Sequence, residues 1–195
     1  MSTSDIRTQL VMGLLKPLKP GRFLDLACGH GTVSHMARDL GWEVTGVDVR
    51  TKRMPRTEGI RWIQSDVREF PIAAGEYDCI AVLGLLYHLE LKDQLEVLAR
   101  CSSTLTIVDT HVSLEATVEE MGYRGEYFDE LGGRTIEQHA ESPTASWGNL
   151  SSFWADEESL LRMFSDVGYG AVFKLTPPYL KDRTFFICIP RVVSP

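Results

Sequence analysis

The sequence alternates short apolar runs with stretches of helical periodicity, and this alternation restricts the possible folds more than any other feature. The strand candidates are 22–27, 43–49, 59–64, 77–83, 105–110, 171–175 and 183–189. The stretches with helical spacing cover 5–16, 32–41, 90–101 and 156–167. Because strands that alternate with helices form mostly parallel sheets covered by helices, the pattern predicts an α/β fold.

The length and composition predict a single globular domain. The chain has 195 residues, of which 44% are hydrophobic and 24% charged, so it can bury a sizeable core. No apolar stretch approaches the roughly 20 residues that span a bilayer, and the first ten residues lack the apolar run of a signal peptide. The four cysteines lie far apart in the sequence, which favours reduced thiols and a cytoplasmic location.

Charge is unevenly distributed along the chain. The net charge is −7, but residues 111–158 carry −9, since eleven acidic residues there are opposed by two arginines. A surface of this sign repels the phosphate backbone of nucleic acids, so we expect a small-molecule partner and neither nucleic acid nor membrane. One basic cluster is expected on a solvated helix face, or else against an acidic substrate group. Its members are Arg50, Lys52, Arg53 and Arg56.

Residues 111–152 interrupt the alternation with glycine pairs, aromatic rings and acids, and their periodicity is weak. Because loops of this length in compact domains usually carry function, we expect an insertion that forms a lid over the substrate. Its aromatic residues are Tyr123, Tyr127, Phe128 and Trp147. Together with the acids, these rings favour a cationic or aromatic acceptor. The alternative is that rings pack the lid onto the sheet, which we favour for Phe153 and Trp154.

Residues 23–31 (FLDLACGHG) combine an apolar strand, a tight glycine turn and the start of a helix. In open α/β sheets, ligands bind at the carboxyl ends of the strands, where the strand order reverses. The glycines alone leave open a plain strand-to-helix turn or several nucleotide cofactors. However, Asp25 lies inside the first strand, where an unpaired carboxylate is costly. Asp48 ends the second strand and Asp66 follows the third, so a plain turn explains these acids poorly.

A nicotinamide cofactor is the main alternative, because such sites also place an acid about 20 residues after the glycine loop. Counting from Gly29, however, the third glycine of that pattern falls at Ser34. Asp25 and Asp66 would also have no role. These positions disfavour a nicotinamide site.

Four segments resemble the first to fourth motifs of a known family, the class I (Rossmann-like) S-adenosylmethionine-dependent methyltransferases. They are FLDLACGHG, VTGVDV, QSDVREF and YDCIAVLGLLYHL, and the resemblance is strong over about residues 20–110. It implies a three-layer α/β sandwich with a seven-stranded, mostly parallel sheet whose last strand is antiparallel. It also implies S-adenosylmethionine as the cofactor and S-adenosylhomocysteine as the product. We therefore expect one methyltransferase domain over residues 1–195, with the insertion at about 111–152.

The resemblance implies which residues contact the cofactor. They are Asp25, Ala27, Gly29, Gly31, Asp48, Val49, Asp66, Val67 and Leu83. Asp48 would bind the ribose and Asp66 the adenine amine, while the Val67 backbone would contact the adenine ring.

The remaining contacts concern the methionine part of the cofactor and the closure of the pocket. Gly29 and Gly31 would flank the methionine part, and Asp25 would hold its amino group directly or through water. The Leu83 backbone would close the pocket. Ala27 stands where many family members carry a glycine, a departure that affects the path of the loop.

Candidates for a catalytic base follow the fourth and fifth strands. The cofactor supplies the reactive methyl group, but oxygen or nitrogen acceptors can also need a base. His88 follows the fourth strand; the alternative is a helix-start residue packed beside Leu89. Asp109 and His111 end the fifth strand and, two residues apart, point the same way. They form either a base or substrate clamp, or a structural hydrogen bond, and the spacing gives no support for a metal site.

We therefore predict a methyltransferase that acts on an oxygen or nitrogen atom of a small molecule. One alternative is a transferase of a carboxylated S-adenosylmethionine, which calls for a cationic side chain near the methyl position. The other is a module that binds the cofactor without turnover. Either a monomer or a homodimer is compatible with the sequence.

Overall fold

The computed structural model of the protein describes residues 3–55, 57–142, 145–176 and 183–192. The strands are β1 (Arg22–Leu26), β2 (Glu43–Asp48), β3 (Ile60–Gln64), β4 (Cys79–Leu83), β5 (Leu105–His111), β6 (Val118–Glu120), β7 (Tyr123–Asp129), β8 (Ser151–Ala155), β9 (Tyr169–Leu175) and β10 (Arg183–Pro190). The helices are α1 (Thr3–Leu15), α2 (Thr32–Asp39), α3 (Leu91–Cys101), α4 (Ile136–Glu141) and α5 (Glu157–Asp166), with a 3₁₀ helix at Leu86–His88. Within these ranges, no helix has both the length and the apolar character that crossing a membrane requires.

Seven strands form the main sheet in the order β3-β2-β1-β4-β5-β10-β9. The first five pair in parallel, and β10 runs antiparallel to both of its neighbours, β5 and β9. The predicted α/β fold, a mostly parallel seven-stranded sheet with an antiparallel last strand, is confirmed. The strand order reverses between β1 and β4, and ligands bind beside such a point in open α/β sheets.

Successive residues of one strand contribute to two different hydrophobic cores, one on each face of the sheet. Leu24, Ile80 and Val82 pack in the core that includes α3 and α5. Phe23 and Ala81 pack in the core that includes α1 and α2. Because side chains along a strand alternate between faces, strands that are apolar throughout need helices on both sides. The predicted three-layer sandwich is therefore confirmed.

The segment between β5 and α5 is more regular than its weak periodicity indicated. It contains a second sheet, in which β7 pairs antiparallel with both β6 and β8. Helix α4 follows β7 in the sequence and precedes β8. The sequence did not reveal these strands because β6 is short and much of β7 is exposed, so no apolar alternation marks them. In the structure the insertion runs from residue 112, after β5, to Ala155 at the end of β8, and its two ends meet where the Ser113 N–H donates to the Ala155 carbonyl (3.0 Å).

Strand β8 fastens the insertion to the loop that follows β4. Phe153 is buried in the core beside α3, and its N–H donates to the Leu89 carbonyl (3.0 Å). The Trp154 indole N–H donates to the Tyr87 carbonyl (2.9 Å). Gln94 of α3 donates from Nε2 to the carbonyls of both Leu89 (3.0 Å) and Phe153 (2.6 Å). Phe153 and Trp154 thus pack the insertion onto the main domain, which is the alternative favoured for them.

Candidate cofactor and acceptor site

The loop after β1 turns sharply through residues with positive φ. Ala27, Gly29 and Gly31 have φ angles of 58°, 55° and 69°. A Cβ atom at Gly31 would lie 2.5 Å from the Trp62 side chain, so the close approach requires glycine there. At Ala27 the left-handed conformation costs an L-residue about 1–2 kcal/mol. The departure from glycine is therefore accommodated with modest strain.

Asp48, at the end of β2, holds this loop in place. Its Oδ2 accepts a hydrogen bond from the Gly29 N–H (2.9 Å), and its Oδ1 accepts one from the Arg50 N–H (2.8 Å). The residue is buried but lines a cavity. Because a carboxylate offers about four acceptor sites, Asp48 can accept further hydrogen bonds from the hydroxyl groups of a ligand.

Asp25 lies inside β1 and is almost inaccessible, with 3% of its surface exposed. Its Oδ2 accepts a hydrogen bond from the Ser34 hydroxyl (2.6 Å). Burial raises the pKa of Asp25 to about 6, although this hydrogen bond and the charge of Arg7 oppose the shift. A ligand that brings a positive charge to this carboxylate would favour its ionised form.

Asp66 follows β3 and is paired with Arg68. The Arg68 guanidinium donates from Nη2 to Oδ2 (2.5 Å) and from Nε to Oδ1 (3.0 Å), and the Arg68 N–H donates to Oδ1 (2.9 Å). Burial alone would raise the pKa of Asp66, but these contacts outweigh it and lower the pKa. From α3, Arg100 donates to the Val67 carbonyl (2.8 Å) and so fixes the same loop.

These residues surround a cavity of about 370 Å³ at the point where the strand order reverses. All the predicted cofactor-contact residues except Gly31 line it. Gly31 packs instead against Trp62. Helix α1 adds Arg7 and Thr8 to the wall, and the insertion adds residues 145–147. The structure therefore brings the three predicted carboxylates together in one site.

Two arginines hold the part of the insertion that reaches the cavity. Arg50 donates from Nη2 to the carbonyls of Ala145 (2.8 Å) and Ser146 (3.0 Å). Its guanidinium carbon lies 5.1 Å from the Trp147 ring centre. Arg68 donates from Nη2 to the Trp147 carbonyl (3.0 Å). Residues 145–147 thus form one wall of the cavity.

The charges at the cavity differ from those of the insertion as a whole. Of the acids in the described part of the insertion, none lines the cavity, whereas Arg50 and Arg53 do. Lys52 is exposed, and Arg56 lies outside the described residues. The predicted solvated helix is wrong for this basic cluster, because the chain after Arg50 forms a turn. In the part of the chain that the structure describes, no group of three or more His, Cys, Asp or Glu side chains could hold a metal ion.

The 3₁₀ helix after β4 places His88 on the cavity wall, where it contacts a buried acid. His88 Nδ1 lies 3.0 Å from Glu130 Oε1. Glu130 is 1% exposed and also accepts hydrogen bonds from the Ser152 hydroxyl (2.5 Å) and the Ser146 N–H (3.2 Å). Burial would raise the pKa of Glu130, but the hydrogen bonds from His88 and Ser152 outweigh it and lower the pKa.

Asp109 and His111 point the same way, but toward Arg183 rather than the cavity. Asp109 is fully buried; its Oδ2 accepts from Arg7 Nε (2.6 Å) and its Oδ1 from Arg183 Nε (2.6 Å). His111 Nε2 accepts a hydrogen bond from Arg183 Nη1 (2.9 Å). Burial alone would lower the pKa of Arg183, but its contacts with Asp109 raise it. Neither Asp109 nor His111 lines the cavity. Their arrangement therefore corresponds to the predicted structural hydrogen bond and not to a base or substrate clamp.

Aromatic rings form a layer beside this ion-pair cluster. The His111 ring stacks on Trp154 (centroids 4.7 Å apart) and meets Tyr87 edge-on (4.5 Å). Phe128 stacks on Trp154 (4.6 Å). Among the described aromatic residues of the insertion, Trp147 is the one that lines the cavity.

Sequence reasoning missed several residues that shape the site. Arg183 opens an apolar strand, and a polar residue beside an apolar run is the same signal that identified Asp25. Arg7 and Glu130 carry no such signal. Their partners Asp109 and His88 lie 102 and 42 residues away in the sequence, so no local pattern links them.

Comparison with known proteins agrees with this geometry. Residues 23–106 match the family model of a methyltransferase domain. YqeM of Bacillus subtilis (strain 168) is 33% identical over 69 residues, which cover 32% of this chain and 28% of YqeM. The ubiquinone biosynthesis O-methyltransferase of Bordetella avium (strain 197N) is 27% identical over 107 residues, which cover 50% of this chain and 44% of that enzyme. The matches thus span less than half the length of these relatives.

Solved structures resemble the chain over nearly its whole length. The N-terminal domain of EvdMO1 with S-adenosylhomocysteine bound has a TM-score of 0.74 at 18% identity, covering 96% of this chain and 80% of that one. The glycopeptide N-methyltransferase MtfA in complex with S-adenosylmethionine has a TM-score of 0.65 at 15% identity, covering 95% and 87%. The fold is therefore that of the Rossmann-like methyltransferases. The match in sequence to the methyltransferase domain is limited to residues 23–106, which are less than half of the chain.

Proposed function

We propose that the protein is an S-adenosylmethionine-dependent methyltransferase that acts on a small-molecule acceptor. The observation that carries this proposal is the convergence of Asp25, Asp48 and Asp66, from three strands, on one cavity. The family model and the ligands of the structural neighbours support the same cofactor. When bound, this cofactor supplies a methyl group on a positively charged sulfur atom, and S-adenosylhomocysteine is the product.

Each part of the cofactor has a suitable partner on the cavity wall. Asp48 would accept hydrogen bonds from the ribose hydroxyls. Asp66 would accept one from the adenine amine, and the Val67 backbone would contact the ring. Asp25 would hold the amino group, whose positive charge would stabilise the ionised carboxylate.

Arg7 suits the carboxylate of the methionine part. It lines the cavity and influences Asp25 electrostatically. Its Nε donates a hydrogen bond to Asp109, but neither Nη group makes a hydrogen bond to a described residue. A guanidinium with free donors in a ligand cavity is a strong carboxylate partner.

The alternative with a carboxylated cofactor is supported by one observation. A Cβ atom at Gly84 would lie 2.8 Å from Arg7 Nη2, so this cation packs against the residue that directly follows β4. That position is close to the Leu83 backbone, which the resemblance places at the pocket closure. The third possibility, a binding module, would show cofactor affinity without turnover.

For the acceptor, we propose an aromatic compound with a hydroxyl or amine group. Tyr87 and Trp147 line the cavity, so two aromatic residues form part of its wall, and such residues suit an aromatic ligand. A cationic acceptor has less support, because none of the acids in the described part of the insertion lines the cavity. A cytoplasmic location is proposed because Cys28, Cys79, Cys101 and Cys188 are all free thiols.

Calorimetry and a methyl-transfer assay test this function. We expect S-adenosylmethionine and S-adenosylhomocysteine to bind, and NAD not to bind. Binding of NAD but neither adenosyl compound would contradict the proposal, and clear preference for carboxylated S-adenosylmethionine would favour the alternative. Transfer of a labelled methyl group is then measured with catechol, 4-hydroxybenzoate, tyramine and aniline. Cofactor binding without transfer to any probe would favour the binding module.

The ribose role of Asp48 has its own test. Asp48→Ala should weaken S-adenosylhomocysteine binding by about 1.5–3 kcal/mol, as expected for lost hydrogen bonds to a charged group. Calorimetry measures the loss, and Asp39→Ala serves as the control because Asp39 lies on the surface and does not line the cavity. Equal affinities of Asp48→Ala and the unmodified protein would remove Asp48 from this role.

A further inference from the structure

The contact between His88 and Glu130 connects the cavity to the interior of the insertion. His88 follows β4 in the main domain, and Glu130 follows β7 in the insertion. His88 lines the cavity and its side chain is 24% exposed, whereas Glu130 is 1% exposed and does not line the cavity. Because the two nitrogens lie on different edges of the ring, an imidazole whose Nδ1 faces Glu130 directs Nε2 elsewhere.

The buried carboxylate fixes which nitrogen of His88 carries the proton. The hydrogen bonds to Glu130 lower its pKa, so it is ionised at neutral pH. An ionised carboxylate can only accept hydrogen bonds, so His88 Nδ1 must donate. In the neutral imidazole the lone pair is then on Nε2. Among the described residues, no group makes a hydrogen bond to Nε2 of His88.

Both partners are held rigidly. The carboxylate of Glu130 accepts hydrogen bonds from Ser152 and Ser146, and the Glu130 carbonyl accepts one from Arg134 Nη2 (2.7 Å). The His88 carbonyl accepts a hydrogen bond from Asn149 Nδ2 (3.1 Å). A base that is oriented by a second, fixed group is a recurring arrangement in enzymes that use general-base catalysis.

We propose that His88 is the general base for a hydroxyl acceptor, with Glu130 as the residue that positions it. This inference rests on the proposed methyltransferase function and deepens it by naming the acceptor atom. The acceptor oxygen forms a bond to the methyl carbon while the carbon–sulfur bond breaks and its electron pair goes to sulfur. The hydroxyl proton goes to Nε2 of His88. The resulting imidazolium is paired with Glu130 until the proton passes to water.

A purely structural contact between the same residues would have different consequences. It would stabilise the junction between the insertion and the part of the chain that forms the main sheet. Its loss would lower the free energy of unfolding, or weaken the binding of all ligands to the same extent. A positioning role acts through His88, so it disappears when His88 is absent. A double-mutant cycle separates the two.

The first measurement needs no acceptor. Nitrogen-15 NMR of the histidine side chains, on the whole chain with S-adenosylhomocysteine, identifies the tautomer of His88 after assignment with His88→Gln. We expect the Nδ1–H tautomer, and a larger share of the Nε2–H tautomer in Glu130→Gln, whose amide oxygen is a weaker acceptor. A predominant Nε2–H tautomer in the unmodified protein would overturn the proposal.

The second measurement is the rate of methyl transfer to catechol and 4-hydroxybenzoate. His88→Gln should lower kcat about 100-fold, and Glu130→Gln about tenfold, with KM and S-adenosylhomocysteine affinity nearly unchanged. In the His88→Gln background, Glu130→Gln should cause no further loss. Glu120→Gln is the matched control, because it removes a carboxylate from the same insertion, where Glu120 accepts a hydrogen bond from the Tyr127 hydroxyl and does not contact His88.

Three kinetic outcomes would contradict the inference while leaving the methyltransferase function intact. The first is an unchanged kcat in Glu130→Gln. The second is a further loss of kcat when Glu130→Gln is added to His88→Gln. The third is methylation of aniline without methylation of either phenol. Failure of the cofactor to bind would instead count against the proposed function.

Discussion

At the scale of single residues, Asp25 illustrates a conflict between stability and ligand binding. The carboxylate is buried inside β1 and has one hydroxyl donor, Ser34. Burial raises the pKa of Asp25 to about 6, so the charge that would attract a cofactor amino group is unfavourable in the free protein. Two pH-dependent effects follow.

The first effect concerns binding. Below about pH 6 Asp25 is protonated in the free protein, and it then attracts an ammonium group less strongly. The affinity for S-adenosylhomocysteine should fall by up to about tenfold between pH 7 and pH 5, as a one-unit drop below the pKa implies. Calorimetry at both pH values measures this, and Asp25→Asn should bind weakly with little pH dependence. A variant that retains the full pH dependence would assign the titration to another group.

The second effect concerns folding. Because the folded-state pKa of Asp25 lies above its ordinary value of 3.8, the folded protein binds this proton more tightly than the unfolded chain. The resulting stabilisation is complete below about pH 4 and is lost as the pH rises through about 6. Asp25→Asn should therefore raise the free energy of unfolding by up to about 3 kcal/mol at pH 7.5, and change it little at pH 4. Urea denaturation tests this, and a less stable variant at pH 7.5 would contradict it.

At the scale of elements, the main sheet was predictable from the sequence and the insertion was not. Strands such as β1 and β4 are covered on both faces, so they appear as continuous apolar runs. Asp25 inside β1, Asp48 at the end of β2 and Asp66 after β3 are likewise local features of the sequence, and all three line the cavity as expected. Strand β7 has an exposed face, and Glu130 after it is one acid among many until folding brings it to His88.

The contact between the insertion and the loop after β2 gives a prediction about ligand exchange. Arg50 holds the carbonyls of Ala145 and Ser146, which form part of the cavity wall. Arg50→Met keeps much of the side-chain bulk but loses these hydrogen bonds, so the dissociation rate of S-adenosylhomocysteine should rise about tenfold, as expected for loss of about 1.4 kcal/mol of such bonds. Stopped-flow fluorescence measures the rate.

The exposed Lys52 provides the control for this measurement. Lys52→Met removes the same charge two residues away, but Lys52 is exposed and does not line the cavity, so the dissociation rate should stay unchanged. Equal acceleration in both variants would mean that the charge, and not the hydrogen bonds, retains the ligand.

At the scale of the whole molecule, Asp109 joins three distant parts of the chain. It pairs with Arg7 from α1 and with Arg183 from β10, and it lies itself in β5, an interior strand of the main sheet. These contacts span 102 and 74 residues of sequence, which is why the strand pattern alone left the role of Asp109 open. Removing one charge from a buried pair leaves its partner uncompensated.

Asp109→Asn should therefore lower the free energy of unfolding by about 3–5 kcal/mol, because Arg183 is buried and loses its counter-charge. Arg7→Gln should cost less, because Asp109 keeps its pair with Arg183 and because the Arg7 side chain, at 25% exposure, belongs to the less buried of the two pairs. Thermal or urea unfolding measures both. If Asp109→Asn kept full stability and lost methyl transfer alone, Asp109 would be a catalytic base instead.

The meeting of the two ends of the insertion, at the hydrogen bond between Ser113 and Ala155, has a consequence for protein engineering. When the two ends of an inserted segment lie side by side, the segment can be replaced by another one, here called a cassette, without changing the path of the chain before and after it. A graft of a foreign cassette between these two residues would keep the part of the cavity that β1 and β2 form, but it would have to replace the wall of residues 145–147 and the core contact of Phe153. To serve a hydroxyl acceptor, it would also have to bring its own carboxylate to His88.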